Sequence, residues 1–585
     1  MLRSSMMILT LLSLSTSVGA GFLLVDTDAG VEPAPLVLFP GAPPKTRAAA
    51  VELADYIERI TGLRPVLFED LPQPIPKRAI WLGYQPALED IFPDTNFEFQ
   101  HAEETMIRIS DDYVVIAGRD RWDPDHLTAF RIDREIVGIQ SEYGTVNAIY
   151  TFLQDNLDVR WFWPGELGED VPQRRRVVLP LAEIRYHPQL RARGGLFNFS
   201  ALGNKGYGRA QDWSRRQRLQ LDSLRIGGGH AFNSWHDRFI EKSPELFALQ
   251  PDGSRGTYPP NSRNVKLCQS NPDVWSTWLA DVEEILKSDP TRKEFSAASN
   301  DGWMSGHCVC ARCRSWDHPD GESREMVWRK HKEFQPALSD RHVTFANKLA
   351  ALLQESYPNQ NYSVTMLAYG HARPEPVKAR PADNLIVVSV ANFFGRGSLA
   401  DRGSPSGTTH REQYKSWSEV SSRLVWRPNT GSPAGWQQGL PDLSIRQTIN
   451  DLKFVAENKA VGIIVDAVWE HWSTQGPQYY AMAQLVWNPS KDGAAILDDY
   501  YRRAFGPAAE HVRRYYESIE SARMAYVTDE GYKAGTESLH KLFTNKLLDQ
   551  LEDTLRQARA AVKNTPGVYR QRVDFVGAGF DYTKL

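Results

Sequence analysis

Between residues 184 and 489 the chain alternates short apolar runs with longer stretches of helical periodicity. This alternation limits the fold more than any other feature, because a parallel strand needs a crossover before the next can pair beside it. Strands are expected at 191–199, 223–226, 295–299, 363–368, 385–390, 423–426 and 461–468, with an early one between 248 and 268. Helical patterns fit 212–220, 274–286, 341–355 and 445–458. Seven or eight such units in about 300 residues suit a closed (β/α)8 TIM-like barrel better than an open sheet. A dinucleotide-binding sheet is disfavoured, since Gly227-Gly228-Gly229-His230 lacks the GxGxxG spacing and a fitting acidic partner.

The flanks read differently. Residues 21–183 form a separate α/β pattern, with strands at 22–25, 36–38, 80–82, 106–109 and 114–116 and helices at 46–60 and 145–157. Leu53, Ile57 and Ile60 share a face of the first helix, and Gly62 stops it. The aromatic run Trp161-Phe162-Trp163 reads as domain packing rather than a sugar platform. Residues 490–585 are helical, with Leu539, Leu542, Phe543, Leu547, Leu548, Leu551 and Leu555 at three- and four-residue steps. Pro566-Gly567 ends that pattern, and the aromatic tail is expected to fold back onto the body. The fold class is therefore α/β: an N-terminal α/β domain, a central barrel and a C-terminal helical region.

Chemistry concentrates at FSAASNDGWMSGHCVCARC, residues 295–313. Catalytic groups of a barrel sit on loops past the C-terminal strand ends, and Asn300-Asp301-Gly302-Trp303 follows such an end. A plain turn with Asp301 as turn residue is the competing account. The last strand runs into Asp466-Ala467-Val468-Trp469-Glu470, where alternation puts Asp466 and Glu470 on one face. Flanking tryptophans would desolvate Glu470 and raise its pKa, which suits a general acid. Asp301, Glu470 and Asp466 are thus the candidate catalytic carboxylates, with a structural ion pair as the other account of Asp466. Candidate substrate contacts are His230, Arg193, Arg225, Asn300, Trp303, Tyr369, Arg373, Asn392 and Trp426. An arginine among them would clamp an acidic sugar bidentately; surface ion pairs for the arginines and packing for Trp426 compete with these roles.

Cys268, Cys308, Cys310 and Cys313 are the only cysteines. They form either a structural four-cysteine zinc site or disulfides, and in both cases a clip that stiffens the loop carrying Asp301. No cofactor is expected for catalysis, because a full shell of four thiolates leaves no position for a reactive water.

The first twenty residues read as a secretory signal: Arg3, an apolar core at 6–14, and Val18-Gly19-Ala20 before a cleavage point. The expectation is a protein exported to the periplasm or beyond, without stable membrane insertion. A formal charge of -4 gives no reason to expect nucleic acid as partner. Seventeen tryptophans and twenty-two tyrosines favour a glycan or oligosaccharide, since ring faces offer apolar area with a polar rim. Oligomeric state is not legible.

The run SEYGTVNAIYTFLQDNLDVRWFWPGELGEDVP, residues 141–172, resembles the end of the N-terminal domain of family 67 alpha-glucuronidases. PELFAL, NDGWMSGHCVCARC, SDRHVTFANKLA and MLAYG resemble a set of secreted bacterial proteins whose barrel is an uncharacterised domain. The resemblance implies an α/β module, a (β/α)8 barrel and a helical region in that order. The alpha-glucuronidase catalytic signatures are not matched here, so it implies architecture more than activity. The function expected is exo-acting hydrolysis of a terminal sugar, uronic or otherwise acidic, by carboxylate acid/base catalysis with inversion. The alternatives are a sialidase-like exoglycosidase with an arginine-clamped carboxylate, and a non-catalytic carbohydrate-binding protein on a degenerate barrel.

Overall fold

The structure, a computed structural model, describes residues 21–129, 136–194, 203–219, 223–224, 226, 229–256, 264, 266–290, 292–301, 306–328, 331–390, 405–428, 439–465, 471–530 and 538–585. The signal-like segment lies outside them. So do Arg225, Trp303, Asn392, Asp466 and Glu470.

The N-terminal region is built on a six-stranded mixed sheet in the order 182–186, 105–109, 113–118, 79–82, 36–38, 67–68. The first two pairings are antiparallel and the other three parallel. Strand alternation divides its side chains between two cores. Leu36, Leu38, Ile80, Leu82, Val114 and Ile116 pack under the helices Pro44–Thr61 and Gly144–Asp155. Val37, Trp81, Met106 and Val115 face Leu88 and Phe92 on the other side. The Pro44–Thr61 helix buries Leu53, Ile57 and Ile60 and ends on Gly62 at φ 80°, a conformation that glycine adopts without a Cβ clash. A hairpin that the pattern did not show, Asp120–Ala129 with Ile136–Tyr143, leads into the second helix.

The central region holds five parallel strands, Glu294–Ser296, Ser363–Ala368, Leu385–Ser389, Leu424–Trp426 and Ala460–Ile463, hydrogen-bonded in that order. Ala192 adds a parallel bridge to Gly462, and Leu224 N donates to Arg191 O at 3.3 Å. At the opposite edge Ala231 N donates to Ala298 O at 3.0 Å. Leu224 thus bonds beside one edge of the sheet and Ala231 beside the other. Five full strands and these one- or two-bond extensions are what the described residues contain; the eight-stranded ring expected from the sequence goes beyond them. On one face of the sheet Ala298, Leu367, Ile386, Val388 and Val425 pack with Leu224, Ile226, Val461 and Ile464. Their neighbours Phe295, Met366, Val387, Leu424 and Ile463 face outward to the larger core that contains the helices. That two-sided burial explains the continuous apolar runs. Helices Pro272–Ser288, Ser339–Ser356 and Ile445–Glu457 cover the sheet where helical periodicity placed them.

Among the described residues six α-helices follow from Trp472 to Lys584. The first, Trp472–Trp487, is buried on nearly every side, with Gln475, Gln478 and Gln484 among its buried residues, and contacts Ile445–Glu457, Gly493–Phe505 and Gly567–Lys584. The leucine-rich run expected as one helix splits at Phe543–Thr544, because the Thr544 side chain accepts Leu547 N and caps a new helix, Asn545–Ala561. The aromatic tail folds back as Gly567–Lys584, with Phe575 stacked on Trp163 at 5.3 Å. Arg572 in this helix donates to Leu167 O and Glu169 O, joining the chain's end to its N-terminal region. None of the described helices is long and apolar enough to cross a membrane.

Candidate functional site

The strand registers put Ala368, Ser389, Trp426 and Ile463 at one level, so the residues after them share a C-terminal rim. Asn300 and Asp301 lie on this rim, past the Glu294–Ser296 strand. Asn300 is buried, and its Oδ1 accepts Phe232 N at 3.0 Å. Asp301 is exposed. His230 is tied to the same turn, with Nδ1 2.6 Å from Ser299 O, which leaves Nε2 as the nitrogen a hydroxyl can address. Ser296 Oγ donates to Gly229 O at 2.7 Å, so the glycine-rich segment is held against the strand at several points.

Beneath the turn sits a residue with no sequence signal of its own. Lys266 is buried, and its Nζ donates to Asn300 O and to Asp301 O, the latter at 2.6 Å. Burial pulls its pKa down to about 8, against the charge of Asp301, which acts the other way. A small cavity with room for about one water is lined by Lys266, Gln269, Ser299, Asn300, Phe232 and Phe345. His307, His342 and His371 cluster nearby, with ring centroids 6.0 and 5.5 Å from His307. Burial, then Lys266 and the other two imidazoles, holds His307 well below its ordinary pKa, and burial takes His342 down to about 3. Both shifts favour the neutral form of His307 and His342. Proximity to Cys268 is the only hint the sequence carries for Lys266, and nothing in it pairs His342 with His371.

The other candidates are spread. Tyr369 follows Ala368 on the rim and packs at the edge of the interior cluster. Arg373 lies four residues on, and its carbonyl accepts Trp417 Nε1 at 2.8 Å. Trp426 is fully buried in the core shared with the helix layer, a packing position rather than an open rim position. Arg193 is also fully buried. Its guanidinium pairs with Glu103 at 2.5 Å and donates to Leu190 O and Arg218 O, so it joins the N-terminal and central regions. Ile464 belongs to the interior cluster, and the even-numbered positions after it that carry Asp466 and Glu470 fall outside the described residues.

The four cysteines come together although Cys268 is forty residues away from the other three in sequence. Their sulfurs all lie within 4.8 Å of one another, and none forms a disulfide. Cys268, Cys308 and Cys313 are buried and Cys310 half-buried. Lys266 belongs to the segment that carries Cys268, so the cluster and the Asp301 turn share a support.

Chains of known structure resemble this one to different degrees. A family GH115 4-O-methyl-alpha-glucuronidase with specificity for decorated arabinogalactans superposes with a TM-score of 0.51 at 10% identity, over 96% of this chain and 73% of that one. A GH20 beta-N-acetylhexosaminidase from Streptomyces coelicolor A3(2) matches at TM-score 0.42 and 11% identity, over 83% and 92% of the two chains. A Flavobacterium johnsoniae chitobiase matches at 0.42 and 10%, over 96% and 90%. The superposition on the GH115 chain shows a shared fold. The chain itself belongs to the family defined by the domain of unknown function DUF4838, whose model matches residues 163–517. No curated protein sequence matches it.

Proposed function

We propose that this protein is an exo-acting glycoside hydrolase working at the C-terminal rim of its central sheet, within a barrel domain spanning residues 184–489. The observation that carries the reading is Asp301, an exposed carboxylate on that rim whose main chain is fastened from below by the buried Lys266. A catalytic base needs such a fixed position, because proton transfer tolerates little displacement. Asp301 activates the water. Glu470, seven residues beyond Ile463 in the sequence, protonates the leaving oxygen, and Asp466 supports or replaces one of the pair. Inversion then requires the two carboxyls to stand roughly 6.5–9.5 Å apart. His230 and Tyr369 contact sugar hydroxyls. The substrate is an exposed glycan ending in an acidic sugar, in keeping with the glucuronidase activity of the GH115 neighbour, and the enzyme acts after export. Arg225 and Arg373 are the candidate arginines for the sugar carboxylate, since Arg193 is buried against Glu103.

The test is turnover of a panel of glucuronides, galacturonides, sialosides and neutral aryl glycosides by wild type, Asp301→Asn and Glu470→Gln. Each variant should lose about 100-fold or more in kcat on the best substrate with an unchanged melting temperature. Equal turnover by Asp301→Asn removes Asp301 from the mechanism. No cleavage by wild type, with glycan binding retained, overturns hydrolysis in favour of binding.

A further inference from the structure

We propose that Cys268, Cys308, Cys310 and Cys313 hold one Zn2+ in a closed, four-thiolate site that locks two loops beneath the rim. The sulfur geometry is that of a metal shell. Zinc–sulfur bonds of about 2.3 Å in a tetrahedron set the sulfur–sulfur edges near 3.8 Å. Cys268 Sγ lies 3.7 Å from Cys310 Sγ and 3.9 Å from Cys313 Sγ. A disulfide needs about 2.05 Å and draws its sulfurs together in pairs, whereas here one sulfur stands at nearly equal distances from two others.

The surroundings supply what thiolates need. Leu249 N points at Cys308 Sγ at 3.3 Å, and Cys313 N at Cys310 Sγ at 3.4 Å. Ser270 Oγ lies 3.1 Å from Cys313 Sγ. Donors aimed at sulfur spread the negative charge of a thiolate shell and orient the ligands. Arg341, fully buried, donates to Cys308 O at 2.8 Å and brings a positive charge beside the cluster, balanced in part by Asp317. Ala248, Leu249 and the sulfurs close a small apolar shell. With four sulfurs filling the tetrahedron, the ion has no open position and its role is structural.

The role follows from the chain path. One ligand comes from the segment that begins near Leu246 and the other three from the 308–313 loop, and Val309 N donates to Leu249 O at 2.9 Å between them. Lys266, two residues before Cys268, grips the carbonyls of Asn300 and Asp301. The metal is therefore the far anchor of the support under that turn. This inference does not depend on the hydrolase reading, because its readout is metal and thiol content.

Full-length protein purified without chelator should contain about one zinc per chain by plasma mass spectrometry. Its intact mass should be that of the fully reduced chain, and four thiols should react only after chelator and denaturant are added. Cobalt exchange should give intense thiolate-to-metal absorption and tetrahedral d–d bands. Cys313→Ser should lose the zinc and melt lower; if it does not fold, the wild-type metal, mass and cobalt measurements still decide. A mass lower by about 4 Da, as two disulfides require, with no bound metal, overturns the proposal. So does a metal-free protein with four freely reactive thiols, or one loaded with iron alone.

Discussion

His410 lies buried on the Pro405–Val420 helix, where burial, helped by the charges of Arg373 and Arg324, lowers its pKa to about 4. A histidine in the unfolded chain titrates near 6.5, so between these values the unfolded state binds more protons than the folded one. Stability from this group is complete above pH 6.5 and is lost as the pH falls through 6.5 toward 4. Replacing it should therefore flatten the acid limb. Urea melts of wild type and His410→Gln at pH 7.5 and 4.5 should show wild type losing about 2 kcal/mol more over that interval; parallel losses would mean the ring is not neutral in the folded state. The same attention to charge sorts the candidate arginines. Arg193 lies near the start of the expected 191–199 strand and so reads as a strand-end residue, yet its guanidinium donates to Glu103, Leu190 O and Arg218 O. Nothing local to Arg193 shows this, since its partner stands ninety residues away.

At the scale of elements, the strand pairing at Ala192 and Gly462 depends on the absence of a side chain. A Cβ at Gly462 would stand 2.3 Å from Ala192 Cβ and 2.7 Å from its carbonyl oxygen. Backbone on both sides cannot yield, so Gly462→Ala must push the two strands apart. The expected cost is about 1–3 kcal/mol, read as a lower urea midpoint with an unchanged slope. A midpoint equal to wild type would show that the two strands are not in contact there. The central strands and their covering helices were legible because each had a full run of apolar residues at one period. The strand pairs Asp120–Ala129 with Ile136–Tyr143 and Ser323–Trp328 with His331–Pro336 were not, because charged residues interrupt their apolar ones and they take strand form by pairing with each other.

For the whole molecule, Glu103 is the joint. It is fully buried at φ 59°, and its carboxylate takes Arg193, Ser223 N at 2.6 Å and Asn147 Nδ2 at 3.4 Å. These partners belong to the central region and to the N-terminal Gly144–Asp155 helix, so one carboxylate holds the two together. Glu103→Gln keeps the shape but leaves the Arg193 charge unpaired, which should cost about 3–5 kcal/mol. A double variant with Arg193→Met should recover part of that loss. Denaturant melts of the four proteins test this, and a single-variant cost below about 1 kcal/mol would mean that water reaches the pair.

The order of regions, the strands and helices with strong periodicity, the Asn300-Asp301 turn and the four cysteines were all readable from the chain alone. Each rests on short-range facts: apolar spacing, turn chemistry, ligand-type residues. Other features needed the fold. Trp426 turned toward the helices, Arg193 met Glu103, Lys266 came under Asp301, and Cys268 joined Cys308, Cys310 and Cys313 across forty residues. Which partner a buried charge or thiol meets is set by long-range packing, where many chain segments compete for the same space. Local pattern carries no record of that competition.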